Sequence, residues 1–269
     1  MRRFHLIELH EQRWLPASWR SLVQMVIGRA LAYSGTADHF TGPFREFLAR
    51  CKAESILDLC SGSGEATVEL WKSLALSLGE NRPPTLLLSD LYPNTVNYRR
   101  FKEQYPELID FFPETVDALH PPPDAPPVRT VFNSLHHFRP AEAHAILCDA
   151  ARNAAGIAVF EITRRSWKNI IKALLVLPVF SALLTVFAIK PFRLKNVFLG
   201  VIFPVIPLVM VFDGIVSNLR TYHADELEKM TRSIEEPDFE WEIGEIDLDL
   251  TGLRATYLFG WRTGPDPRN

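Results

Sequence analysis

Two acids close short apolar runs in this chain, Asp58 in Ser55-Ile56-Leu57-Asp58-Leu59 and Asp90 behind Thr85-Leu86-Leu87-Leu88-Ser89, and a third, Asp117, follows the run at 108–112. Behind the first comes Cys60-Ser61-Gly62-Ser63-Gly64 and then a helical pattern through Val68, Leu70 and Trp71. Glycines 62 and 64 carry no Cβ, so a ligand can lie directly on the peptide groups, beside the free N–H groups of a helix start. That chemistry is the binding of something small and polar. A dinucleotide turn would read G-x-G-x-x-G, but Thr67 stands at the third glycine. The Asp58 carboxylate suits an ammonium better than a pyrophosphate.

Asn133-Ser134-Leu135-His136-His137-Phe138 follows a further β-rich run and brings two imidazoles to the same edge. His136 or His137 could serve as a general base near neutral pH, or only hydrogen-bond the backbone. Adjacent histidines do not point the same way on a strand or helix, and the cysteines lack metal-ligand spacing, so no metal site is expected.

The elements that must position these groups alternate. Strands are predicted at 55–59, 85–90, near 108–112, at 128–133 and at 156–162, with helices between, which implies right-handed crossovers in one parallel sheet. Residues 239–250 and 254–262 read as an antiparallel pair turning at Gly252. Asp90, 26 residues beyond Gly64, sits at the second strand's tip, placed to accept hydrogen bonds from both hydroxyls of a ribose; capping a helix that starts near Pro93 is the other reading.

This ordered series resembles the class I S-adenosylmethionine-dependent methyltransferases, whose first motif is acid-x-Gly-x-Gly-x-Gly. Asp58, Gly62 and Gly64 match it, and Cys60 stands where the first glycine usually is. The resemblance implies an α/β, Rossmann-like, seven-stranded, mostly parallel sheet with helices on both faces. It implies S-adenosyl-L-methionine as cofactor, held by Asp58, Cys60, Gly62, Gly64, Asp90, Leu91, Asn133 and, at the adenine amino group, Asp117 and Ala118. Such a cofactor brings an electrophilic methyl, so the protein mainly aligns the attacking atom with the C–S bond.

The 269 residues are 47% hydrophobic with a net charge of -3, which offers no basic footprint for nucleic acid and favours small or lipid-like substrates. Three cysteines suit a reducing compartment. Early charges at Glu8, Glu11 and Arg13 argue against a cleaved export signal. Helices are expected at 17–33, capping a pocket or packing on the domain's side, and at 42–51 with Pro43 in its first turn. After the fifth strand, residues 170–189 carry one charge, Lys172, and would span roughly 30 Å as a helix. Residues 197–212 are apolar but broken by Pro204 and Pro207. This hairpin either enters a membrane or roofs a cavity; membrane association is favoured, with the catalytic domain facing the cytoplasm. Asp213, Arg220 and Tyr222 are candidates for substrate contact or for a helix-end ion pair.

The expected organisation is an N-terminal helical cap (1–52), a cofactor-binding core (53–166), a hydrophobic hairpin (167–215) and the C-terminal part of the core (216–269). The expected function is methyl transfer from S-adenosylmethionine to an apolar small molecule or lipid at the membrane. The alternatives are a cofactor-binding membrane protein without turnover and a nicotinamide-dependent oxidoreductase.

Overall fold

The computed structural model describes residues 1–190, 192–248 and 253–264; the expected turn at Gly252 lies outside them. The apolar runs form β1 (Ser55–Leu59), β2 (Thr85–Leu88), β3 (Ile109–Phe111), β4 (Val128–Phe132) and β5 (Gly156–Glu161), all parallel, and the tail supplies β6 (Phe239–Leu248) and β7 (Leu253–Arg262). The sheet order is β3-β2-β1-β4-β5-β7-β6, with β7 antiparallel to both β5 and β6. Because the order reverses between β1 and β4, the crevice at their C-terminal ends is the place where such sheets hold ligands.

Burial on both faces explains why the central parallel strands β1, β4 and β5 are mostly apolar. Ile56 faces α2 (Thr36–Cys51), α3 (Glu65–Ser77) and α4 (Thr95–Gln104), where Phe40, Phe44 and Phe47 meet Phe160 and Phe259. Leu57 and Leu59 face α5 (Pro140–Asn153) and α9 (Ala224–Arg232), among Ile146, Leu147, Tyr222 and Leu227. Helix α2 starts at Thr36, earlier than the expected 42, and so carries Pro43 inside it rather than in its first turn. Seating Phe40, Phe44 and Phe47, all buried, is worth roughly 1.5–3 kcal/mol each, together more than the roughly 3 kcal/mol an interior proline costs.

Beyond β5 the chain leaves the sheet as α6 (Trp167–Leu183), extended to Ala188 by a π-turn, and returns through α7 (Leu194–Val197), a second π-turn and a break at Pro204 into α8 (Val205–Arg220). The two returning pieces meet at 58°. One side of the hairpin, at Leu184, Ile206, Val209 and Met210, packs on Leu22, Val23 and Val26 of α1 (Ala17–Tyr33). The other side is bare and apolar, with Leu174, Leu175, Val179, Phe187, Phe203 and Leu208 all exposed. Helix α8 runs unbroken across the expected boundary at 215/216. The hairpin and the tail that follows it therefore share one continuous helix.

Candidate active site

The turn after β1 winds through three left-handed residues, Cys60 (φ 60°), Gly62 (φ 56°) and Gly64 (φ 79°), before α3 begins. Cys60 occupies a conformation that favours glycine, which is why the sequence motif ordinarily has one there. At Gly62 a Cβ would meet nothing within 4 Å, whereas at Gly64 it would lie 3.1 Å from Leu88 and 3.2 Å from Tyr98. The two glycines thus do different work: Gly62 leaves the turn open, and Gly64 lets the helix start press against β2 and α4.

The turn is stapled to the end of β2. Ser61 donates its N–H to the Ser89 carbonyl (2.9 Å), Ser89 returns one to Asp58 (3.0 Å), and the Tyr98 hydroxyl reaches the Gly62 carbonyl (2.8 Å). Asp90 accepts from the backbone N–H groups of Gly62 and Tyr92, both at 2.7 Å. Its carboxylate therefore faces the glycine turn, with lone pairs left over; burial pushes its pKa up against those two hydrogen bonds. The alternative role is overturned: the cap of α4 is Asn94, whose side chain accepts from Asn97 N–H. The loop after β3 is tied to the same place by Val116 N–H on the Asp90 carbonyl (3.0 Å). It leaves Asp117 half-exposed, accepting from Leu119 N–H (3.0 Å), and Ala118 buried, while Leu91 is exposed beside them.

Asp58 departs from the expectation of contact with an ammonium. It is completely buried, and its two oxygens accept from the Ser61 and Thr130 hydroxyls, each at 2.6 Å. Burial lifts its pKa to about 6. Asp58 shapes the turn from beneath rather than touching what lies on it. Asn133 is likewise structural: left-handed (φ 50°), it accepts through Oδ1 from Ile162 N–H (3.0 Å) and so joins the ends of β4 and β5. Burial first, then the nearby carboxylates of Asp90, Asp58, Asp117 and Glu11, hold the Cys60 thiol protonated.

The histidines do not behave as strand or helix neighbours would. They lie in a 3₁₀ turn, Leu135–His137, whose tighter winding brings their rings within 4.4 Å at 31°. His136 is sealed in, 1% exposed, with Nδ1 2.7 Å from Glu161 at the end of β5. His137 places Nδ1 2.5 Å from Glu11 and 3.5 Å from Glu8. Burial alone would lower its pKa, but Glu8 and Glu11 prevail and hold it at about 9. Those two carboxylates favour the imidazolium at neutral pH, against the general-base reading of His137. Arg220 bridges Glu8 (3.2 Å) and Glu11 (3.0 Å) and donates to the His137 carbonyl (2.6 Å). Tyr222 donates its hydroxyl to the Phe138 carbonyl (2.8 Å). Both are buried and clamp the histidine loop, so the ion-pair reading is the one realised.

Sequence reasoning missed Glu8, His10, Glu11 and Glu161. Glu161 carried a signal, an acid ending an apolar strand as Asp58 and Asp90 do, but the N-terminal residues carried none. They arrive by chain path: Leu9 N–H and His10 N–H bind Asp213 on α8 (2.6 and 3.1 Å), and Arg20 on α1 donates to the His10 and Gln12 carbonyls. Helix α1 then crosses the glycine turn. Its Gly28 abuts Ser63 and Glu65, Arg29 pairs with Glu65 (2.9 Å), and Ser21 accepts from Asn94 (3.0 Å).

A parallel five-stranded run, an antiparallel pair at one edge and an acid-flanked glycine turn at the reversal point together define the class I methyltransferase fold. Among solved structures, a candidate O-methyltransferase from Nostoc punctiforme superposes with a TM-score of 0.51 at 15% identity, over 88% of this chain and 60% of its own. A magnesium protoporphyrin IX methyltransferase from Synechocystis, solved with bound S-adenosylhomocysteine, gives 0.48 at 13% identity, over 86% of this chain and 84% of its own. The methyltransferase domain of a bacterial Hen1 gives 0.48 at 12%, over 84% and 98%. No protein-family model matches the chain, and no curated protein matches it in sequence.

Proposed function

We propose that this protein is an S-adenosylmethionine-dependent methyltransferase acting on an apolar small molecule or lipid at a membrane surface. The observation that carries the reading is the pairing of Gly62, where a side chain would enter open space, with Asp90, whose carboxylate faces the same turn. The open turn at Gly62 suits the cofactor's amino-acid end, Asp90 suits two ribose hydroxyls, and the Asp117 and Ala118 segment suits the base. The cofactor would supply an electrophilic methyl; the chain's own residues would bind it, orient an acceptor and exclude water. Because His137 is held protonated and His136 is sealed in, neither is ready to take a proton from the acceptor at neutral pH. An acceptor already deprotonated in solution, or one whose proton is lost to bulk water, fits this edge best.

The membrane part rests on the bare side of the hairpin. The continuous helix from Trp167 to Ala188 is 22 residues long and apolar, and only 28% of its most apolar window is buried in the protein. A core helix of a soluble protein would be mostly covered. Binding of labelled S-adenosylmethionine to the purified chain tests the reading, with loss expected in Gly62→Arg and Asp90→Ala. Label passing from the bound cofactor to an extractable lipid fraction identifies the acceptor. A folded wild-type chain that binds no S-adenosylmethionine at millimolar concentration would overturn the proposal.

A further inference from the structure

Where the N-terminal segment crosses the sheet edge, it builds a second cluster. Glu8 is 1% exposed, and Arg220 occupies only its Oε1. Its Oε2 is buried without a hydrogen-bond partner and lies 3.5 Å from both His10 Nδ1 and His137 Nδ1. One ligand atom from each of these three residues lies within 4.8 Å of the others, the imidazoles standing edge to face at 5.7 Å. Two ligands at about 2.0–2.1 Å from one tetrahedral ion are separated by about 3.4 Å, close to the spacing seen from Glu8 to each imidazole. Behind them stand two more carboxylates, Asp213 at 2.9 Å from His10 Nδ1 and Glu11 at 2.5 Å from His137 Nδ1.

We propose that Glu8, His10 and His137 bind a divalent first-row transition-metal ion. A carboxylate and two imidazoles form a donor set that zinc, manganese, iron or cobalt accepts more readily than calcium or magnesium. Four carboxylates, Glu8, Glu11, Glu161 and Asp213, stand around this cluster. A metal on Nδ1 requires each imidazole to carry its proton on Nε2, so Asp213 and Glu11 no longer face a ring N–H. Those carboxylates are then free to accept from bound water or to join the ion. The side chains of His10 and His137 are 15% and 21% exposed, which leaves an opening for an outer ligand.

Zinc titration by calorimetry of the chelator-treated, detergent-solubilised full chain tests this, with cobalt absorption as a second readout. One equivalent with micromolar or tighter affinity is expected, together with the ligand-field bands of a nitrogen- and oxygen-bound cobalt. His10→Asn, His137→Asn and Glu8→Gln should each weaken binding at least tenfold while keeping the wild-type circular dichroism spectrum. His144 and Cys148, an adjacent pair on α5 with atoms 3.5 Å apart, offer a rival surface site. His144→Asn should change nothing. Absence of saturable binding, or binding abolished by His144→Asn and untouched by His10→Asn, overturns the assignment. Should His10→Asn fail to fold, the cobalt spectrum of the wild type decides, because a thiolate ligand adds an intense near-ultraviolet band that the proposed site cannot produce. None of these readouts requires S-adenosylmethionine, so the result stands apart from the fate of the methyltransferase reading.

Discussion

Gly62 and Asp58 separate what touches a ligand from what holds the turn. Arginine at Gly62 would occupy a left-handed conformation, costing about 1–2 kcal/mol, but its Cβ would meet no neighbouring atom. Gly62→Arg is therefore expected to fold with a modestly lower denaturation midpoint and to lose cofactor binding, as measured by calorimetry. Asp58, whose pKa burial raises from 3.8 to about 6, has the opposite character. A carboxylate raised in the folded state contributes most below its unfolded pKa and loses that contribution as pH climbs through the folded value. Ionising Asp58 should thus cost up to about 3 kcal/mol between pH 4 and pH 6. In Asp58→Asn this part of the stability profile should flatten, which denaturant midpoints across pH 4 to 7 would reveal. The acids at 58, 90 and 117 were legible in the sequence because strand ends are marked by a change from apolar to polar residues. Which acid faces the crevice was not legible. That depends on whether nearby hydroxyls, here those of Ser61 and Thr130, take up the carboxylate first.

At the scale of elements, the strands were readable from apolar runs and the hairpin from its lack of charge, but the path of the N-terminus was not. Nothing local in Glu8, His10 or Glu11 announces a partner on α8 or behind β4, since those contacts arise only when distant elements are assembled. Helix α1 illustrates the same limit. Its Gly28 looks like an ordinary helix defect, yet a Cβ there would lie 2.3 Å from Ser63 Oγ and 2.8 Å from Glu65 Oε2. Gly28→Ala should push α1 from the glycine turn and cost about 1–3 kcal/mol by overpacking. Truncating Ser63 to alanine in the same chain should return part of that loss, since the two sites are in contact. A double-mutant cycle of unfolding free energies measures the coupling.

The whole molecule has one polar, closed side and one bare, oily one. Replacing Leu175 and Phe187, which are 70% and 67% exposed, by glutamate removes little packing and should leave the thermal midpoint almost unchanged. Flotation with phosphatidylcholine and phosphatidylglycerol vesicles should nevertheless fall sharply; undiminished flotation of the folded double variant would exclude the hairpin as the lipid contact.

Helix α8 couples that oily side to the sheet edge. Phe212 and Leu208 project outward, while Asp213 and Arg220 reach His10 and Glu11 further along the same rod. With 1.5 Å per residue, the eight steps from Phe212 to Arg220 amount to about 12 Å. A shaft of fixed length sets a stand-off height. On the proposed membrane reading, with α8 upright and its lower end in hydrocarbon, the glycine-turn crevice would lie near the headgroups, so an acceptor with its nucleophile on a polar head would be within reach and one hiding it among the acyl tails would not.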